Sequence, residues 1–144
     1  RNSGYLIMNI TTQVIDLPVV IAMLDDGSKV IPDELSSYTP TQWATALESL
    51  TPAQRLKLWP LIDSQIESSV LSNMREDARL LFLESLSTQS VEKILQTATN
   101  AEAVEILNVL PQKTVNKLIN KLVYGIFINF YILFSIFPTS FSLI

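Results

Sequence analysis

The strongest constraint on this chain is a twelve-residue period that runs without a gap across residues 39–122. Seven units fit it, beginning at Thr39, Thr51, Asp63, Arg75, Ser87, Thr99 and Pro111. The eighth place of each unit is apolar: Ala46, Leu58, Val70, Phe82, Ile94, Ile106 and Leu118. So is the ninth, with Leu47, Trp59, Leu71, Leu83, Leu95, Leu107 and Ile119. The twelfth closes the units with Leu50, Ile62, Met74, Leu86, Ala98, Leu110 and Leu122. An apolar spacing of i, i+1, i+4 is one face of a helix. Twelve residues leave about two helical turns and a tight connection, and an isolated helix that short is marginal in water. Each unit must therefore lean on its neighbours, which predicts an all-α helical solenoid.

The unit starts carry matching chemistry. Thr39, Thr51, Asp63, Ser87 and Thr99 have side-chain oxygens that can accept from the free amides of a first turn. Pro40 and Pro52 sit where a missing amide costs nothing. Thr39 with Gln42, Thr51 with Gln54 and Thr99 with Glu102 have the spacing of a capping box. Upstream, Asp16, Leu17 and Pro18 predict a capping helix through Leu24 that stops at Gly27. A loop from Lys29 to Tyr38, containing Pro32, leads into the first full unit.

Composition removes most catalytic chemistry. The chain has no cysteine and no histidine, so thiolate or imidazole zinc sites, cysteine nucleophiles and histidine-based triads are excluded. Its three glycines, Gly4, Gly27 and Gly125, form no phosphate-cradling loop. An enzyme is not expected. All fourteen acidic residues fall between Asp16 and Glu105 against six basic ones, a local net charge of −8 that would repel nucleic acid. Lys113, Lys117 and Lys121 then reverse the sign, and their spacing of four sets them along one helical side. They make either a solvated face or a basic stripe beside a membrane.

The organisation read from the sequence is an N-terminal extension over residues 1–15, a helical-repeat domain over 16–122 and a hydrophobic tail over 123–144. The tail has no charged residue in its 22 positions and holds five of the six phenylalanines. Two readings of it stay open: a membrane span whose flanking lysines keep the repeats on the cytoplasmic side, or a non-native read-through from a shifted reading frame.

From Leu35 through Leu122 the chain resembles the cytoplasmic N-terminal domain of the MgtE family of magnesium transporters and channels. The resemblance rests on Tyr38-Thr39-Pro40 leading into Trp43, on the segment from Ala44 to Leu50, on Thr51-Pro52-Ala53-Gln54-Arg55, and on the short leucine-closed units that follow. It implies a right-handed superhelical stack of short helices, an armadillo-like solenoid. It further implies a bacterial protein at the cytoplasmic face of the inner membrane. Its partners would be a CBS regulatory module and a pore domain of the same transporter, in a possible homodimer, with this chain truncated before both. The implied role is sensing of intracellular Mg2+ through an acidic surface, with weak regulatory binding that gates the pore.

Under that resemblance Glu67 and Glu102 are the foremost candidates for metal contact, with Asp63 and Glu105 beside them; ordinary helix-start charge is the plain alternative for each. The repeat is also similar to the middle part of the flagellar motor-switch protein, which implies a protein-docking scaffold instead. A small membrane-anchored adaptor is the third reading.

Overall fold

The structure, a computed structural model, describes residues 15–125, with side chains described through Lys121. Among the described residues there are eight α-helices, two short 3-10 turns and no strand, so the all-α expectation holds. The chain divides between Ile62 and Asp63 into two compact units.

In the first unit, α1 (Leu17–Asp25) starts where Asp16 accepts from the Val19 amide at 3.3 Å and stops at Gly27. Gly27 has φ +69°, and two bonds close the end, Gly27 N to Leu24 O at 3.2 Å and Ser28 N to Met23 O at 3.2 Å. That paired pattern with a left-handed glycine is the Schellman motif. The segment expected to be a loop contains a 3-10 turn, Asp33–Leu35, and Leu35 is buried at 1 % exposure. The cause is simple: Leu35 is apolar and leaves water, and its amide bonds Pro32 O at 2.9 Å as it does so. Tyr38 joins the start of α1 to α2 (Pro40–Ser49), since its hydroxyl accepts from Asp16 N at 2.8 Å and its ring lies 5.1 Å from that of Trp43. α3 (Pro52–Leu58) follows and tightens into the second 3-10 turn, Trp59–Leu61. α1 packs against both α2 and α3.

The second unit holds α4 (Glu67–Asn73), α5 (Glu76–Ser85), α6 (Thr88–Thr97), α7 (Asn100–Asn108) and α8 (Gln112–Gly125). The most extensive packing is between α4 and α7; α4 also meets α6, and α6 meets α8. α4 therefore leans on the helices two and three repeats further along, and α6 on the one two repeats further.

The period is visible in burial. All seven residues at the eighth place and all seven at the ninth are buried. At the twelfth place Leu50, Ile62 and Met74 are buried and Leu86, Ala98 and Leu110 are half-buried, while the Leu122 side chain lies outside the described ones. The backbone repeats as well. The twelfth-place amide bonds the ninth-place carbonyl in six units: Leu50 to Leu47, Ile62 to Trp59, Met74 to Leu71, Leu86 to Leu83, Ala98 to Leu95 and Leu110 to Leu107, at 3.1 to 3.4 Å. Six of the seven units thus close with the same backbone bond, whatever the helix boundary around it.

Thr39, Thr51 and Thr99 form complete capping boxes with Gln42, Gln54 and Glu102, and Ser87 accepts from Ser90 N. Asp63 is the exception. Its Oδ1 accepts from Gln65 N at 2.9 Å and its carbonyl from Ile66 N at 3.0 Å, so it closes a turn and α4 begins later, at Glu67. An aspartate bonding two residues on competes directly with a helix cap, and here the turn wins. The N-terminal extension through residue 14 and the tail beyond residue 125 lie outside the described residues. No helix among the described residues is long and apolar enough to cross a membrane.

Candidate functional site

The four acids nominated from sequence all lie in the second unit, and the structure sorts them into two places. Asp63 and Glu67 stand at the start of α4, where Glu67 is half-buried. Burial first, and the Asp63 charge second, push the Glu67 carboxyl above its ordinary pKa of 4.5. Both causes oppose the ionised form. The next residue, Ser68, is buried at 2 % exposure and donates its hydroxyl to Glu102 Oε1 at 3.1 Å, joining the start of α4 to the start of α7. Glu102 Oε1 also accepts from Thr99 N at 2.9 Å as the second half of the capping box. That oxygen is structurally committed.

Glu105 sits elsewhere, near the end of α7, where its Oε2 lies 3.4 Å from Arg79 Nη1. Arg79 is buried at 4 % exposure and stands at the fifth place of its unit, a position whose apolar and polar mixture gave no pattern in the sequence. Its Nε donates to Leu71 O at 2.8 Å, and its Nη2 to Ser72 O at 3.1 Å and Met74 O at 2.6 Å. Nη1 donates to Glu105 O at 2.8 Å as well as to the carboxylate. The five N–H groups of a guanidinium are thus all aimed at acceptors. Most are carbonyls at the ends of α4 and α7, where helix dipoles leave partial negative charge. Arg79 is a clamp across two helix ends, and Glu105 belongs to that clamp. Arg55, at the same place two repeats earlier, does a smaller version: Nε to Leu47 O at 2.7 Å and Nη2 to Glu48 O at 3.4 Å.

Among the described residues no three acids gather closely enough to hold a metal ion by themselves. What the surface offers is a pair, Asp63 and Glu67, with Glu102 tied to the same end through Ser68. Trp43 and Trp59 are buried in the core at 4 % and 7 % exposure, Trp59 at a ninth place of the repeat.

The sequence model of the family described as the MgtE intracellular N domain matches residues 38–123, more than half of the 144. The chain belongs to this family. No curated protein and no solved structure matches it. The MgtE N domain is the cytoplasmic domain of a magnesium transporter, and its family is not one of known enzymes. The matched segment starts at Tyr38 and takes in every repeat unit, including the two arginine positions and all four candidate acids.

Proposed function

We propose that this MgtE N domain is the regulatory part of a magnesium transporter or channel, sensing intracellular Mg2+ through its acidic surface and gating the pore. The family match carries the reading. The Asp63 and Glu67 pair supports it, because burial and mutual repulsion leave Glu67 with an ionised form that a cation would favour. The chemistry of the donors fits a hard cation that keeps much of its water: two carboxylates and hydration can hold Mg2+ weakly, without an all-protein cage. Asp63 and Glu67 would hold the ion, and Glu102, engaged through one oxygen by Ser68, would add its charge nearby, whereas Glu105 stays paired with Arg79.

Bound Mg2+ would supply the positive charge that cancels repulsion between this surface and an acidic face of a CBS regulatory module in the same transporter. Without that cancellation, two carboxylates about 5 Å apart at an effective dielectric near 20 repel by roughly 3 kcal/mol, which biases a two-state equilibrium about a hundredfold. Asp63 and Glu67 then hold the domain away from its partner, and the pore opens. The partner module, the pore and the homodimer belong to this proposal.

The test follows amide chemical shifts of the chain during titration with millimolar MgCl2, against KCl at matched ionic strength. Concerted shifts at Asp63, Glu67 and Ser68 are expected, absent in a D63N/E67Q variant. Equal responses to both salts, or shifts unaltered in the variant, would sink the reading.

A further inference from the structure

α8 has two faces of different character. Val115, Leu118 and Ile119 are buried, whereas Gln112, Lys113, Asn116, Lys117, Asn120 and Lys121 are exposed. The outward face therefore carries three ammonium groups and no acid. At 1.5 Å of rise per residue the lysines span about 12 Å along the helix. Lys121 Nζ lies 3.1 Å from Glu92 Oε1 of α6 and remains 57 % exposed, so the pair steadies α8 while its ammonium still meets solvent. In a chain whose acids are confined to residues 16–105, this is a local reversal of sign.

Directly after the stripe come 23 residues without a charge, five of them phenylalanine. Basic residues next to an apolar segment add electrostatic attraction for anionic lipid to the hydrophobic attraction of that segment. We propose that the outward face of α8 docks on an anionic lipid surface, with Lys113 and Lys117 as its principal contacts and Lys121 as a lesser one. Charge complementarity selects the occupant, and continuity with the apolar segment favours lipid over an acidic protein. The proposal is independent of magnesium sensing, since none of the acids assigned to the ion lies on α8.

Co-sedimentation of the full chain with vesicles tests it, comparing pure phosphatidylcholine with phosphatidylcholine containing phosphatidylserine. Each lysine near an anionic surface contributes about a fivefold gain in binding. K113Q/K117Q should therefore weaken binding to the anionic vesicles by roughly twenty-five-fold, whereas K113R/K117R should retain it. Raised salt should weaken wild type more than the glutamine variant, because exposed charge is screened over about 10 Å at 0.1 M. Both sites are exposed, and matching circular dichroism of the variants confirms that helix content is kept. Equal binding to neutral and anionic vesicles would overturn the proposal in favour of the apolar segment acting alone. Salt-sensitive self-association without vesicles, abolished by K113Q/K117Q, would overturn it in favour of a second copy.

Discussion

Arg55 and Arg79 occupy the same place in the repeat and reach back the same eight residues, yet they do different amounts of structural work. Arg55 is half-buried and bonds two carbonyls of the helix before it. Arg79 is buried and bonds four carbonyls and a carboxylate, on two helices thirty residues apart in sequence in round terms. The repeat gives both side chains a direction. What decides the network is whether another helix end arrives within reach, and for Arg79 α7 does.

The sharpest way to break this comparison is truncation of each arginine. Arg79→Ala strands several buried carbonyls and is expected to cost about 3 kcal/mol or more, read by urea unfolding. Arg55→Ala should cost about 1 kcal/mol. Arg79→Lys should recover little, since an ammonium cannot reproduce the planar fork. Equal losses at the two sites would mean that the extra bonds of Arg79 contribute nothing. The apolar positions allow the same contrast on a slightly smaller scale. Leu71→Ala, at a fully buried ninth place, should cost about 3 kcal/mol, and Leu86→Ala, at a half-buried twelfth place, about half as much.

The caps give the next contrast. Thr99→Ala removes an acceptor from the Glu102 amide and is expected to cost about 1 kcal/mol. Asp63→Ala removes only a turn contact and relieves Glu67, so its cost should stay below about 0.5 kcal/mol in thermal unfolding. The smallest effect is one of pH. Because the Glu67 pKa is raised on folding, the folded state binds this proton more tightly than the unfolded chain. That contribution favours folding as pH falls through the raised value toward 4.5 and is lost as pH rises above it. Glu67→Gln should therefore melt slightly higher than wild type at neutral pH, with the gap closing in acid; a gap that widens in acid would contradict the burial of this carboxyl.

The core was legible because apolar side chains declare themselves locally. An apolar side chain at the eighth or ninth place must leave water whatever it packs on, and all fourteen such residues do so. Threonine caps were legible for the same reason, since Thr39, Thr51 and Thr99 bond within their own first turns. Arg79 was not. A charged residue reads as a solvated one until the partners that satisfy it are known, and Glu105 lies two repeats downstream. A faint signal existed in the recurrence of arginine at the fifth place, but Trp43, Glu67, Val91, Ala103 and Val115 occupy that place in the other units. Asp63 was misread because aspartate serves a turn and a cap with the same oxygen. Of the acids, sequence could say where negative charge is dense; it could not say that Glu102 and Glu105 already have partners.

The packing of α4 on α6 and α7, and of α6 on α8, two and three periods away, has a genetic consequence. Duplicating one whole period inserts a brick that brings its own start signal and its own pair of apolar residues, and the wall can lengthen without redesign of its neighbours. Adding a single codon within a helix instead rotates everything after it in that helix by about 100°, turning the stripe toward solvent. Size in such an array should thus evolve in steps of twelve, with odd-length changes confined to the joints between bricks.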